Sequence, residues 1–185
     1  MELTTSAAPD HEAISPAAYR SALRLLPTSV AVAATLVEGA PVGMVVGTFT
    51  AISLNPPLVG FFGDNDSKTY PRLKTAKTIA FSVLGDKSAS ICASFRRPQS
   101  ERFTDVPWTL SSNGNPVLDA AMLVVEGTVD NIITVGDHDL VLLSVDALSV
   151  PDRHARPMIF HERRLLRLDP HQLDGRSIAR LDWSD

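Results

Sequence analysis

A mainly β chain is predicted, folded as an antiparallel barrel or sandwich. Three observations predict it: seven or eight β-rich runs, helices that are few and short, and connections mostly of hairpin length. The 185 residues most simply form one domain, long enough to bury a sizeable core.

Residues 1–13 are small and polar and are expected to be a flexible N-terminal segment. Ser15-Pro16 is a helix start, with Ser as N-cap and Pro at the first helical position. Tyr19, Ala22, Leu23 and Leu26 then fall on one helical stripe, which Pro27 ends. Ser29 to Val37 is β-rich, and Glu38-Gly39-Ala40-Pro41 turns it back antiparallel onto the next run. That run, Gly43 to Pro57, reads as one strand carrying glycine and hydroxyl residues where bulk is usual. Alternation places Gly43, Val45, Gly47 and Phe49 on one face, and Met44, Val46, Thr48 and Thr50 on the other. Glycine within a strand marks a kink or a place where a ligand or another backbone comes close.

Leu58 to Phe62 is an apolar strand, followed by turn formers at Gly63 to Ser67. Lys68 to Lys77 is expected to be a short helix with Pro71 in its first turn. Ile79 to Leu84 is a strand and Ser88 to Phe95 a helix. Arg96 to Pro116 is irregular, and its two aromatic anchors, Phe103 and Trp108, favour order. Met122 to Val135, the turn Gly136-Asp137 and Asp139 to Val150 form the clearest hairpin. Met158 to Phe160 and Leu165 to Leu168 make a last short pair. A domain over 14–168 then leaves 169–185 as a polar tail, with Leu173, Ile178, Leu181 and Trp183 available to anchor on a neighbour.

Composition narrows the function. Net charge is −4 with a pI near 5.7, and no basic stripe offers itself to nucleic acid. The N-terminus has no signal-peptide pattern and no apolar run approaches a membrane span, so a cytoplasmic protein is expected. The single cysteine, Cys92, reads as a small buried apolar residue rather than a nucleophile. The five histidines lack metal-ligand spacing, and the acidic residues form no catalytic pair. Dinucleotide-fold, Walker, zincin and nucleophile-elbow motifs are all missing. An enzyme of this composition would borrow its hard chemistry from a cofactor.

Three short features carry chemistry. Ser67-Lys68-Thr69, before a helix, offers two hydroxyls, an ammonium and free N–H groups to an anion, or simply caps the helix. His138 in Gly136-Asp137-His138 is either an exposed turn residue or a ligand's neighbour. Arg102 before Phe103 suits a phosphate, a ring or a surface ion pair.

Their order and spacing resemble the flavin reductase-like family, the NAD(P)H:flavin oxidoreductases that serve two-component monooxygenases. The resemblance spans about residues 15–168. It rests on Leu26-Pro27-Thr28-Ser29-Val30, on Gly43-Met44, Gly47-Thr48-Phe49-Thr50 and Ser53-Leu54-Asn55-Pro56-Pro57, and on Ser67-Lys68-Thr69. It continues through Phe81-Ser82-Val83-Leu84, Arg102-Phe103 and Gly136-Asp137-His138, with Pro157 to Phe160 a loose match to the family's close. It implies a Greek-key split β-barrel and a homodimer binding FMN or FAD, with NADH or NADPH as hydride donor and a flavin-dependent monooxygenase receiving the reduced flavin. By position, Pro41, Val42, Gly43, Met44, Val45, Gly47, Thr48, Thr50 and Ser53 would face the flavin ring. Phe62, Gly63 and Asp64 would lie beside it. Ser67, Lys68 and Thr69 would hold the phosphate end, with Arg102, Gly136 and Asp137 also in the binding set. His138 would stand at the nicotinamide as the catalytic residue. Ser94-Phe95 occupies a position where relatives carry a phosphate-binding arginine, for which Arg96 or Arg97 would substitute. Ser29 in place of glycine and His161 in place of an aromatic are further departures. The alternative implied by these departures is a flavin-binding split barrel without reductase turnover.

Overall fold

The structure, a computed structural model, describes residues 14–168. The chain opens with α1 (Pro16–Leu23). Ser15 caps it through an Oγ that accepts from the Ala18 N–H at 3.2 Å. The helix stops at Leu23, ahead of Leu26, and none of its residues is buried: the apolar stripe is there but nothing in the described residues covers it.

Twelve strands follow, more than the runs counted in the sequence because several runs are divided. β1 (Thr28–Ser29) and β2 (Ala31–Val37) split one run, and β3 (Ala40–Val46) and β4 (Thr50–Leu54) split the next. After β5 (Pro57–Asp64) comes α2, only Tyr70–Leu73, shorter than the expected Lys68 to Lys77. β6 (Thr78–Leu84) and α3 (Ala89–Ser94) follow. The stretch that looked irregular is ordered by a single 3-10 turn, Gln99–Glu101, and by the hairpin of β7 (Trp108–Leu110) and β8 (Pro116–Leu118). β9 (Ala121–Val135) and β10 (His138–Ser149) form the long hairpin, its turn made by Gly136 at φ +63°. β11 (Met158–His161) and β12 (Arg164–Arg167) close the described chain. The anchors named in 169–185, and the segment 1–13, lie outside the described residues.

Seven strands form one antiparallel sheet in the order β3-β2-β6-β9-β10-β5-β4. The glycine-rich run therefore does not form one strand. It supplies both edges of the sheet, joined by Gly47, Thr48 and Phe49 alone. Only a curled sheet brings its edges that close, and the result is a split β-barrel with non-sequential, Greek-key strand order. Thr48 bridges the split: its Oγ1 accepts from the Phe62 N–H at 3.0 Å and donates to the Phe62 carbonyl at 3.2 Å. The bend also resets the alternation. Phe49, expected beside Gly43 and Val45, instead packs into the barrel and stacks on Phe81 with centroids 4.3 Å apart.

Alternation explains the two cores. Val42 and Val46 on β3 point into the barrel, with Phe61, Phe81, Val125 and Val141 from the other strands. The opposite side of β2 carries Val32 and Ala34, which pack with Phe95, Phe103 and Leu118 in a second cluster outside the barrel. β2 is thus covered on both faces and reads as an apolar run interrupted only by Thr35. Each fully buried large side chain, such as Phe81 at 0% exposure, contributes roughly 1.5–3 kcal/mol. The three-stranded sheet β1-β11-β12 stands apart, linked to the barrel end by the bridge Gly85–Pro157.

Candidate functional site

Beside the outer face of β3 lies a cleft of about 830 Å³. Its β3 side is Val45, flanked by Met44 and Val46, whose side chains turn to the barrel core, and it continues through Gly47 and Thr48 at the split. Ser67 and Thr69 stand on one wall, with Phe95 and Arg96 at the end of α3. The β11–β12 hairpin and the end of α1 complete it. Thr28 packs close over Gly47: a Cβ there would meet the Thr28 hydroxyl at 2.8 Å.

The Ser67–Thr69 loop is built before it is capped. Ser67 Oγ accepts from the N–H groups of Thr69 and Tyr70, each at 3.2 Å, so the hydroxyl ends a tight turn into α2. Thr69 is buried and receives the Arg102 guanidinium on its Oγ1 at 2.9 Å. The same guanidinium donates to the Gly43 carbonyl at 2.8 Å and to the Arg97 carbonyl at 3.0 Å. Arg102 thereby fastens the loop to β3, and burial pulls its pKa downward.

A second, buried anchor sits behind the loop. Asp139 accepts from Lys74 Nζ at 2.5 Å, Thr134 Oγ1 at 2.8 Å and the Tyr70 hydroxyl at 3.0 Å. The Lys74 hydrogen bond, followed by that of Thr134, holds the Asp139 carboxyl down at about 2. Burial, reinforced by the neighbouring carboxylate, pushes the Tyr70 phenol upward. Asp139 pairs with Gly63 across β5, and the Tyr70 ring lies flat over that glycine.

Of the residues expected at the site, the cleft gathers Met44, Val45, Gly47, Thr48, Ser67, Thr69, Phe95 and Arg102. The others stand outside it, each for a physical reason. Val42 faces the barrel core. Gly43 is roofed by Phe103 and Phe95, which a Cβ would meet at 2.9 and 3.2 Å; only its carbonyl faces Arg102. The Pro41 carbonyl is taken by Gln99 at 3.1 Å. Thr50 and Ser53 lie on β4, across the split from β3. Phe62 is engaged through its backbone by Thr48, and Gly63 is covered by Tyr70. Asp64 caps its own turn, accepting from the Asp66 N–H at 2.8 Å. Lys68 is exposed, while Ser94 is buried on α3. Gly136, Asp137 and His138 sit at the hairpin end. His138 there pairs with Asp64 and shares a 2.7 Å hydrogen bond with Asp137, which lowers the pKa of that carboxyl. His138 is two ladder positions from Leu140, the partner of Phe62, or about 7 Å along β10. Cys92 lines the cleft as a half-buried thiol 3.8 Å from the Met158 sulfur, and burial pushes its pKa up.

The sequence did not mark Arg24, Arg163 or Leu165 for the cleft, nor Tyr70 and Asp139 for its support. The charge of the cleft is the clearest signal among these. Arg24, Arg96, Arg102 and Arg163 line it and, among the described residues, no acidic residue does, in a chain with 17 basic and 21 acidic side chains. Arg97, the other substitute for the missing phosphate arginine, points away to Asp105 at 2.6 Å.

The fold and the cleft together define a split-barrel protein with an arginine-lined cleft beside its split. A family model described as flavin reductase like domain matches residues 23–169, and the chain belongs to that family. It is 30% identical over 169 residues to the reductase subunit HsaB of a flavin-dependent monooxygenase of Rhodococcus jostii, covering 91% of this chain and 86% of the relative. It is 35% identical over 157 residues to an NADH:FMN oxidoreductase of Rhodococcus erythropolis, covering 82% and 81%. Among solved structures, the NADH:FAD oxidoreductase SgcE6 of Streptomyces globisporus, in complex with NAD and FAD fragments, aligns with TM-score 0.79 at 27% identity. That alignment covers 86% of this chain and 98% of SgcE6. No helix among the described residues is long and apolar enough to cross a membrane.

Proposed function

We propose that this protein is an NAD(P)H-dependent flavin reductase of the cytoplasm, which reduces FMN or FAD and delivers the reduced flavin to a partner monooxygenase component. One observation carries it: the cleft beside β3 and the barrel split is lined by four arginines and, among the described residues, by no carboxylate. A flavin needs such a cleft, with cations for its phosphate. A flavin held there would supply the chemistry as the acceptor of a hydride from the nicotinamide donor.

The chain's own residues bind and align. Gly47 and Thr48 would offer their backbone to the ring edge, with the Thr48 hydroxyl already holding Phe62 across the split. Ser67, Thr69 and Arg96 hold the phosphate end, and exposed Lys68 adds a mobile charge beside it. Alignment rather than proton transfer is the demand of hydride transfer, which fits a cleft without an acid–base pair. His138, outside the cleft but near the Thr48 end, is assigned to the nicotinamide. A homodimer is part of the same proposal. Tyr19 and Leu23 on α1, Leu26 after it, and Phe160 and Leu165 of the β11–β12 hairpin are all exposed apolar residues that a second copy would cover.

The test is nicotinamide oxidation followed at 340 nm with and without added flavin. Flavin-dependent loss of absorbance is expected with at least one donor. Protein that retains flavin through gel filtration yet oxidises neither NADH nor NADPH would instead be a binding protein without turnover.

A further inference from the structure

Three arginines lining the cleft are left over once Arg102 is counted out, since its hydrogen bonds go to protein. Arg24, Arg96 and Arg163 come from three separate places: the end of α1, the end of α3 and the tip of the β11–β12 hairpin. None of them has an acidic partner within ion-pair distance among the described residues. Like charges repel, so gathering three of them in one cleft of an acidic protein is unfavourable without an anion to face.

The hairpin tip adds an independent observation. His161 pairs with Arg164, which leaves Glu162 and Arg163 as a two-residue turn. Both sit in the left-handed region, at φ +48° and +65°. Such turns default to Asn-Gly, and long side chains there are uncommon. Strained positions of this kind gather at ligand clamps. The tip is also tied down: the Glu162 N–H donates to the Arg24 carbonyl at 3.1 Å, holding Arg24 and Arg163 on one wall. That wall is distinct from the Ser67–Thr69 loop.

We propose that Arg163, with Arg24, forms a second phosphate-reading wall that recognises the pyrophosphate of a dinucleotide, beyond the single phosphate served by Ser67, Thr69 and Arg96. It rests on the cleft being the flavin site. The pyrophosphate has two sources, FAD or the nicotinamide donor, and the wall acts on either by charge-assisted hydrogen bonds.

The experiment measures dissociation constants of FAD, FMN and NADP+ for wild-type protein and for Arg163→Gln, Arg24→Gln and Arg163→Lys, at low and at high salt. If FAD is the source, Arg163→Gln weakens FAD about tenfold while FMN changes less than about threefold. If the nicotinamide donor is the source, both flavins hold their affinity and NADP+ weakens by a similar factor. Arg24→Gln repeats the pattern, Arg163→Lys recovers part of the loss because it keeps the charge, and added salt shrinks every difference. Unchanged binding of all three ligands by Arg163→Gln overturns the proposal, as does an equal loss for FAD and FMN with no effect on NADP+. Wild-type protein that binds neither flavin overturns the flavin assignment instead, and a selective loss of NADP+ in Arg163→Gln then still supports the wall.

Discussion

Gly63→Ala is the substitution whose outcome the packing determines most sharply. A Cβ there would stand 2.2, 2.3 and 2.6 Å from three atoms of the Tyr70 ring, against the 3.5–4.0 Å of an ordinary carbon contact. The ring must retreat by more than an ångström. It has nowhere to go: Tyr70 is 1% exposed, its hydroxyl is bound to Asp139 at 3.0 Å, and its edge meets Phe61 with centroids 6.3 Å apart. Gly63 does not occupy the left-handed region, so the penalty is steric. Overpacking of this kind costs about 1–3 kcal/mol. At about 2–4 °C per kcal/mol for a chain of this size, the melting temperature falls by roughly 2–12 °C. Because the Tyr70 N–H is bonded to Ser67 Oγ, the same retreat displaces Ser67 and Thr69, and flavin affinity falls with stability. Thermal melts and flavin fluorescence titrations on Gly63→Ala, Tyr70→Ala and the double variant check this. In the Tyr70→Ala background the added methyl should cost less than about 0.5 kcal/mol, because its neighbour is gone. The reasoning fails if Gly63→Ala melts and binds like wild type, or if its penalty is undiminished without the Tyr70 ring.

Other outcomes follow from the same site. His138→Ala should raise KM for NADH or NADPH more than it raises the flavin dissociation constant; equal changes in both would remove His138 from the nicotinamide side. Ser67→Ala loses the acceptor for two N–H groups, costing about 1 kcal/mol of stability with a parallel loss of flavin affinity, read by melting and titration. For acid stability, the folded pKa of Asp139, about 2, lies below its unfolded value near 4. Its contribution is therefore complete above about pH 4 and is lost as pH falls from there through about 2. Melting curves of wild type should steepen across that window relative to Asp139→Asn, and parallel curves would count against the Lys74–Asp139 pair.

Much of the fold was legible because it is written in local patterns. The β9–β10 hairpin shows in two apolar runs around a glycine that takes positive φ, and the start of α1 shows in Ser15-Pro16. The division of Gly43 to Pro57 between opposite sheet edges was not legible. Nothing local distinguishes a bend within one strand from a crossing between edges; the sheet's closure decides it, and the resetting of Phe49 follows. At the site, Ser67, Thr69, Gly47 and Thr48 were legible as small polar residues in turn and strand contexts. Gly43 and Gly63 looked like openings for a ligand, but each makes room for an aromatic ring of the chain itself. The Tyr70–Asp139 contact spans 69 positions and leaves no trace in spacing. Arg96 and Arg97 were interchangeable until the fold turned one to the cleft and the other to Asp105.

The link of Gly47, Thr48 and Phe49 also limits how the protein moves. Val46 ends one sheet edge and Thr50 begins the other, and four peptide steps reach at most about 14 Å. The split is therefore leashed: at this end its width has a covalent ceiling, whatever happens to the packing around it. A ligand lying along β3 cannot be freed by prising the barrel apart at that point. The β11–β12 hairpin and the end of α1, which also border the cleft, carry no such leash to β3 and β4.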